Sequence, residues 1–136
     1  MDAETVVRQW INAYNRSDWE LDLALLAPNA VTEVIARDEV STDPVESQEG
    51  ARAFKGAFPD LHVEIDNLIV AEPFVVVEWR ASGTNTGPFA GAEPTGRRFT
   101  RRGVGVAEVH DGRITAYRDY FDRATMLSQV GRMDLI

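Results

Sequence analysis

The chain has 136 residues, no cysteine, and 14 basic against 22 acidic side chains, which gives a formal charge of −8. This length suits one domain with a single core, and the negative charge disfavours nucleic acids and anionic membranes as partners. The lack of cysteine excludes disulfides and thiolate chemistry, and without a signal sequence or a membrane-spanning run a cytoplasmic protein is expected.

The first half of the chain predicts helices and one strand. Apolar side chains recur at three- and four-residue spacing in the first segment, which is typical of an amphipathic helix, and Asp2 can cap it. Prolines end the second and the third helix. The predicted elements are a helix over 2–15, a helix over 19–27, a strand over 30–37, a mobile loop over 38–44 at the mouth of the fold, and a helix over 45–58.

The second half predicts strands. Two runs rich in Val, Ile and Leu, 61–70 and 74–84, are separated by a tight connection. Residues 83–96 contain four glycines and two prolines, which predicts a long bend. A hairpin follows over 100–122, and 125–131 predicts a closing helical turn. Helices followed by antiparallel strands indicate an α+β fold, with the helices on one face of a curved sheet.

The hairpin places a carboxylate on an otherwise apolar face. Asp111 and Gly112 form a two-residue turn signal, because a type I′ turn needs a positive φ at both positions. Side chains then alternate between the two faces, and Asp122 is expected opposite Arg101 on the far face. The residues expected on one face with Asp119 are Val104, directly opposite it, Val106, Tyr117, Phe121 and Arg102.

A carboxyl group among Val, Tyr and Phe loses hydration, so the pKa of Asp119 should be high, which suits a general acid or base. Arg102, near the strand end on the same predicted face, is a candidate for holding a substrate carboxylate or enolate. Two other interpretations of Asp119 stay open, namely a solvated face and a hydrogen bond to a backbone amide.

Other candidate residues are aromatic or lie on the preceding strands. His62 shares a face with Trp79 in the expected pairing, although a shift of one residue would turn it away. Trp10, Tyr14 and Trp79 are expected in the core, because aromatic residues at helical or strand spacing are generally buried. No histidine pair has metal-ligand spacing, and no glycine-rich loop opens a helix after a strand, so neither a metal nor a cofactor is predicted.

The order of these elements resembles the nuclear transport factor 2-like superfamily, and within it the SnoaL-like polyketide cyclases and the steroid-isomerase-like proteins. The segments that carry the resemblance are 10–18, 58–62, 83–97, 111–114 and 122–131. The resemblance implies one cone-shaped domain over 1–136, in which a highly curved antiparallel sheet wraps on the N-terminal helices around an apolar pocket. It also implies a homodimer through the outer sheet face.

This superfamily contains enzymes, ligand binders and adaptor domains, so the activity depends on the site. In SnoaL-like cyclases an aspartate on the last strand, here Asp119, is the acid/base for an aldol closure, often with a histidine nearby. The histidine that usually follows Gly-Thr is Asn85 here, which keeps a hydrogen-bonding group.

Two other catalytic patterns fit less well. Limonene-epoxide-hydrolase-like proteins would use Asp119 as a water-activating base, but the arginine and second aspartate that they need are Trp79 and Ala81 here. Ketosteroid isomerases place their base and their oxyanion-holding tyrosine where this chain has Val34 and Trp10, and neither residue can do that work.

The sequence therefore predicts a cofactor-free acid/base enzyme of the cyclase, isomerase or dehydratase type, acting on an apolar, oxygenated small molecule such as a polyketide or terpenoid intermediate. Asp119 and His62 are the predicted catalytic residues. The predicted ligand contacts are Trp10, Tyr14, Trp79, Asn85, Arg102, Tyr117 and Phe121. The alternatives are a non-catalytic small-molecule-binding or dimerisation module, and an epoxide hydrolase.

Overall fold

Four helices and six strands follow one another in a computed structural model that describes residues 1–136. The helices are α1 Ala3–Arg16, α2 Trp19–Ala24, α3 Pro44–Ala57 and α4 Arg123–Val130. The strands are β1 Leu26–Val34, β2 Glu39–Ser41, β3 His62–Ala71, β4 Phe74–Thr84, β5 Arg98–His110 and β6 Arg113–Phe121. The predicted α+β class is confirmed.

The helices begin at capping residues that are visible in the sequence. Asp2 accepts a hydrogen bond from the Thr5 N–H at 2.8 Å and caps α1, as predicted. Asp43 caps α3 and Asp122 caps α4 in the same way. Side-chain acceptors thus satisfy backbone N–H groups that have no partner within the helix.

Three predictions in the first half are wrong at their boundaries, including the strand predicted over 30–37, since β1 spans Leu26–Val34 and a 3-10 turn follows it. The second helix ends at Ala24, because the apolar residues after it join the sheet, where Leu26 pairs with Ile114 of β6. The segment 38–44 is not a single loop, because part of it pairs with β1 as strand β2 and α3 begins at Pro44. Pairing and burial in the sheet override the local helical pattern.

The six strands form one mixed sheet in the order β2-β1-β6-β5-β4-β3. All neighbours are antiparallel except β1 and β6, so the predicted antiparallel sheet is wrong at that pair. A long connection through α3 and four strands separates β1 from β6, and parallel neighbours need such a crossover. Helix α1 contacts β3, β4, β5 and β6. Since strands lie about 4.8 Å apart and a helix is about 10 Å wide, the sheet curves around α1.

The core lies between the inner sheet face and the helices. Its largest fully buried side chains come from both layers: Val6, Val7, Phe58, Val75, Val77, Phe99, Ile114, Leu127 and Val130. The outer face exposes Ile69, Phe74 and Tyr120, and a homodimer through this face stays a prediction. None of the helices is both long and apolar enough to span a membrane.

The hairpin contains the predicted turn and one irregularity that was not predicted. Asp111 and Gly112 have φ angles of 52° and 74°, which confirms a turn with positive φ at both positions. Beyond the turn, the pairing of β6 with β5 skips Thr115, the extra residue of a β-bulge. The Thr115 hydroxyl donates to the carbonyl oxygen of Glu108 at 3.2 Å. Every later pair is shifted by one residue.

This shift changes which side chains share a face. Asp119 lies opposite Gly105, so the predicted pair with Val104 is wrong. Asp119 keeps Tyr117 and Phe121 on its face, because these three residues alternate along a single strand. The predicted neighbours that instead lie on the outer face are Val104, Val106 and Arg102.

Candidate active site

Asp119 is a largely buried acid on the inner face of β6. Its Oδ1 accepts a hydrogen bond from Nε1 of Trp79 on β4 at 3.0 Å. Burial raises the pKa of Asp119 to about 6, and the positive charge of Arg101 and the Trp79 hydrogen bond oppose that increase. The carboxyl group therefore changes its protonation state close to neutral pH, as a general acid or base must.

Two glycines of β5 make room for the rings around this acid. Trp79 lies opposite Gly103, and Asp119 lies opposite Gly105. A Cβ atom on Gly103 would overlap the indole of Trp79, and a Cβ atom on Gly105 would overlap the phenol of Tyr117. Both rings can therefore approach the backbone of β5 closely. The Gly-Val-Gly spacing was the signal in the sequence for this close approach.

The basic group of the site is Arg101 and not Arg102. Arg102 is exposed on the outer face, opposite Arg80, so the prediction for Arg102 is wrong. The bulge at Thr115 is the physical reason, because it turns the odd-numbered residues of β5 inward. Arg101 consequently does not pair with Asp122, which caps α4.

Aromatic rings surround the Arg101 guanidinium. Its carbon lies 4.0 Å from the ring centroid of Phe121, and Nη1 lies 2.8 Å from the Met126 sulfur. The rings of Phe54, Phe99 and Trp79 lie between 5.2 and 5.5 Å away. Burial lowers the pKa of Arg101 to about 10, although the negative charge of Asp119 acts in the other direction. The group still carries its charge at neutral pH.

Two phenols face the same interior. Tyr117 packs edge-on against Trp10, with 4.8 Å between ring centroids. Burial raises the pKa of Tyr14 and of Tyr117, and the charge of Asp119 raises both further. Both side chains therefore remain neutral hydrogen-bond donors at physiological pH.

His62 does not join this group. It lies on β3 opposite Ser82 and is exposed on the outer face, so its predicted place in the pocket is wrong. A second bulge, at Asp66, explains the difference, because it brings Leu68 but not His62 to the inner face. Glu64 and Asp66 form ion pairs with Arg80 on the outer side.

Asn85 is fully buried, but its polar atoms are already used. Its amide nitrogen donates to the carbonyl oxygens of Ala57 at 3.2 Å and Gly87 at 2.8 Å. Its amide oxygen accepts from the Thr95 N–H at 2.8 Å. Asn85 therefore fixes the 83–96 bend to the end of α3, and it leaves no free group for the predicted ligand contact.

A second buried acid, Asp22 on the six-residue helix α2, was not predicted from any pattern along the chain. It is 5% exposed, and Gln48 donates to its Oδ2 at 2.9 Å. Burial raises the pKa of Asp22, against the opposing effect of this hydrogen bond. The charge of Asp22 also acts on Tyr14. Tyr14 thus lies within electrostatic reach of both buried acids.

A surface cleft of about 460 Å³ lies elsewhere, at the turn between β5 and β6. Residues of its lining include Glu72, His110 and Gly112, and none of the interior groups described above takes part. No group of three or more carboxylate or histidine side chains is arranged to hold a metal ion. The candidate site is therefore defined by the chemistry of Asp119, Arg101 and the phenols.

A curved sheet wrapped on a helix, with a largely buried acid among aromatic rings on its inner face, defines a class of small α+β domains. The chain belongs to the SnoaL-like polyketide cyclase family, whose model matches residues 4–130. The resemblance to nuclear transport factor 2-like proteins is thereby confirmed. Among curated proteins, none matches the chain.

Solved structures share this fold. IdmH from Streptomyces antibioticus, a proposed polyketide cyclase, is 26% identical, with a TM-score of 0.84 over 96% of this chain and 99% of that one. AclR from Streptomyces galilaeus, a proposed hydroxylase, is 22% identical, with a TM-score of 0.84 over 96% and 81%. An LEH-like epoxide hydrolase from M. tuberculosis is 24% identical, with a TM-score of 0.75 over 98% and 92%. At these identities, the last two support the fold alone.

Proposed function

We propose that the protein is a cofactor-free acid/base enzyme of the cyclase, isomerase or dehydratase type, in which Asp119 transfers the proton. The observation that carries this proposal is the buried Asp119 carboxylate, whose pKa lies at about 6 and whose side-chain partner is the Trp79 indole. Membership of the SnoaL-like polyketide cyclase family supports it.

In the proposed reaction, the Asp119 carboxylate removes a proton from a carbon next to a substrate carbonyl group. It then returns the proton to another carbon or to an oxygen of the rearranged product. A pKa near 6 allows both transfers close to neutral pH. The neutral phenols of Tyr14 and Tyr117 are suited to donate hydrogen bonds to the carbonyl oxygen.

The proposed substrate is an apolar, oxygenated molecule such as a polyketide or terpenoid intermediate. Trp79 contacts the acid, Tyr117 and Phe121 share its face of β6, and Trp10 packs against Tyr117; aromatic walls of this kind favour apolar ligands. The similarity to IdmH, a proposed polyketide cyclase, favours the polyketide class.

An epoxide hydrolase is a weaker candidate. Asp119 could activate water, but Trp79 and Ala81 occupy the positions where that reaction needs an arginine and an acid. A non-catalytic binding module would use the same interior without proton transfer. The experiment must therefore separate proton exchange, epoxide opening and simple binding.

The test is proton exchange in D2O, followed by NMR on a panel of aryl methyl ketones, cyclic enones and monoterpene epoxides. The wild-type protein should exchange α-protons of at least one ketone, and Asp119→Asn should slow that exchange by roughly 10²–10⁴-fold. His62→Asn is the matched control, because His62 is exposed on the outer face, and it should exchange at the wild-type rate.

Three outcomes would contradict the proposal. Equal exchange by the wild type and Asp119→Asn would show that Asp119 is not the base. Ketone binding, read from tryptophan fluorescence, without any exchange would indicate a binding module. Conversion of an epoxide to a diol, lost in Asp119→Asn, would indicate an epoxide hydrolase.

A further inference from the structure

Arg101 is a largely but not fully buried cation without a carboxylate partner. The ion pairs of the chain involve other basic residues, namely Arg8, Arg16, Arg37, Arg80, Arg98, His110 and Arg132. A buried charge without a partner is strongly unfavourable, because it loses hydration without a compensating attraction. The aromatic faces compensate only in part, through cation–π attraction.

The three nitrogens of the Arg101 guanidinium differ in what they can bind. Nη1 contacts the Met126 sulfur at 2.8 Å. Nε is sealed from solvent and has no hydrogen-bond partner. Nη2 has no acceptor within the chain either, but it is not sealed in the same way. Nη2 is therefore the nitrogen left to donate to a ligand.

Arg101 lies on the same face of the sheet as the proposed acid. Arg101 on β5 and Asp119 on β6 both point inward, and Phe121 contacts the guanidinium from the same face as Asp119. The charges of Arg101 and Asp119 act in opposite directions on the pKa of Tyr14, so the three groups lie within electrostatic reach of one another. Arg37, at the end of a short 3-10 turn after β1, adds a second positive charge that acts on Asp119.

We propose that Arg101 recognises a negatively charged ligand oxygen, that of an enolate, a phenolate or a carboxylate. The assignment deepens the proposed function, because it names the chemical group that the site selects. The evidence for this assignment is that the Arg101 guanidinium lies on the inner face of the sheet, has Nη2 free to donate, and has no carboxylate partner. In a chain with a net charge of −8, such a group gives the interior a local preference for anions.

Arg101 is also placed to stabilise the negative charge that proton transfer would create on the substrate. When Asp119 takes a proton from the substrate, the C–H bond breaks, its electron pair stays on the substrate, and the negative charge moves to the enolate oxygen. Asp119 becomes neutral in the same step. Arg101 attracts Asp119 without forming an ion pair with it, whereas Nη2 would contact the enolate oxygen directly, so Arg101 would stabilise the product of the transfer more than the reactant.

The probe for the test is 4-nitrophenol, whose phenolate absorbs visible light and whose neutral form does not. The wild-type protein should bind the phenolate in preference to 4-nitroanisole, its uncharged analogue, and should lower the pKa of the bound probe. Arg101→Met should weaken phenolate binding by roughly 10- to 100-fold. Arg102→Met is the matched control with the same change in charge, and it should bind like the wild type, because Arg102 lies on the outer face.

The assignment is overturned if Arg101→Met binds the phenolate as tightly as the wild type, or if the wild type shows no preference for the phenolate over 4-nitroanisole. The second comparison uses only the wild type, so it holds even where Arg101→Met fails to fold. Phenolate binding without proton exchange would disprove the proposed function and keep the anion site. Proton exchange that depends on Asp119, without a preference for the phenolate over 4-nitroanisole, would disprove the anion site and leave the proposed function intact.

Discussion

Trp79 and Asp119 form a hydrogen bond across an intervening strand. The indole Nε1 of β4 reaches Oδ1 of Asp119 on β6 at 3.0 Å, and β5 lies between these two strands. Strands two positions apart are separated by roughly 10 Å, a distance that the long indole covers because Gly103 has no side chain beneath it. The bond stabilises the carboxylate form and so opposes the effect of burial on the pKa of Asp119.

Trp79→Phe should raise the pKa of Asp119 above about 6, because it removes the donor that favours the carboxylate and keeps an aromatic ring. NMR titration of a protein labelled at the aspartate side-chain carboxyl groups measures this pKa. Trp19→Phe is the control, since Trp19 packs against Tyr14 and Arg52. An unchanged Asp119 pKa in Trp79→Phe would mean that the hydrogen bond does not tune the acid.

Asp119→Asn should change the pH dependence of stability. The folded-state pKa of Asp119, about 6, lies above the unfolded value of 3.8, so folding favours the protonated acid. The resulting stabilisation is complete below the unfolded pKa and is lost as the pH rises through about 6, a change of roughly 3 kcal/mol. The neutral amide of the variant avoids this loss. At pH 8, Asp119→Asn should therefore unfold at the same or a higher temperature than the wild type. The difference in unfolding temperature should become smaller toward pH 4.5.

The control is Asp60, whose pKa shift is opposite in direction to that of Asp119. Asp60 accepts a hydrogen bond from the Thr84 N–H at 2.7 Å, which lowers the pKa of Asp60. Its carboxylate therefore stabilises the fold above the unfolded pKa, and Asp60→Asn should unfold at a lower temperature at pH 7. If Asp119→Asn also unfolds at a lower temperature throughout the pH range, Asp119 is a structural acceptor and not a titrating base.

Gly103→Ala should displace the Trp79 indole, because the added methyl group overlaps the ring and the flanking strands limit any movement of β5. We expect a loss of about 1–3 kcal/mol of stability and an increase in the pKa of Asp119 as the hydrogen bond breaks. Denaturant unfolding and the same NMR titration measure the two effects. Gly50→Ala, on an open face of α3, should instead stabilise the protein by up to about 1 kcal/mol. A Gly103→Ala variant with unchanged stability and an unchanged Asp119 pKa would contradict the close approach of the Trp79 indole to β5.

Asn85→Ala should destabilise the fold by at least about 2 kcal/mol, because it leaves buried carbonyl and N–H groups of the 83–96 bend without partners. Chemical denaturation measures the loss. Asn67→Ala removes an exposed amide that bonds to Glu78, and should change stability by less than about 0.5 kcal/mol. If Asn85→Ala folds normally but no longer binds ligand, Asn85 belongs to the site after all.

The sequence by itself determined the features that depend on neighbours along the chain. Capping by Asp2 and the positive-φ turn at Asp111 and Gly112 are local, because each needs only a few consecutive residues. The common face of Asp119, Tyr117 and Phe121 is local as well, since it follows from alternation along one strand. This is why the prediction of an acid on the inner face held although the predicted pairing with Val104 was wrong.

Only the tertiary structure decided which residues surround that acid. The bulge at Thr115 turned Arg101 inward and Arg102 outward, and the bulge at Asp66 left His62 in solvent. A bulge forms where packing across several strands favours one extra residue, and no local pattern in this chain marks either position. Because side chains alternate with a period of two, one inserted residue exchanges the inner and outer faces, and the identity of the basic residue depends on that single step.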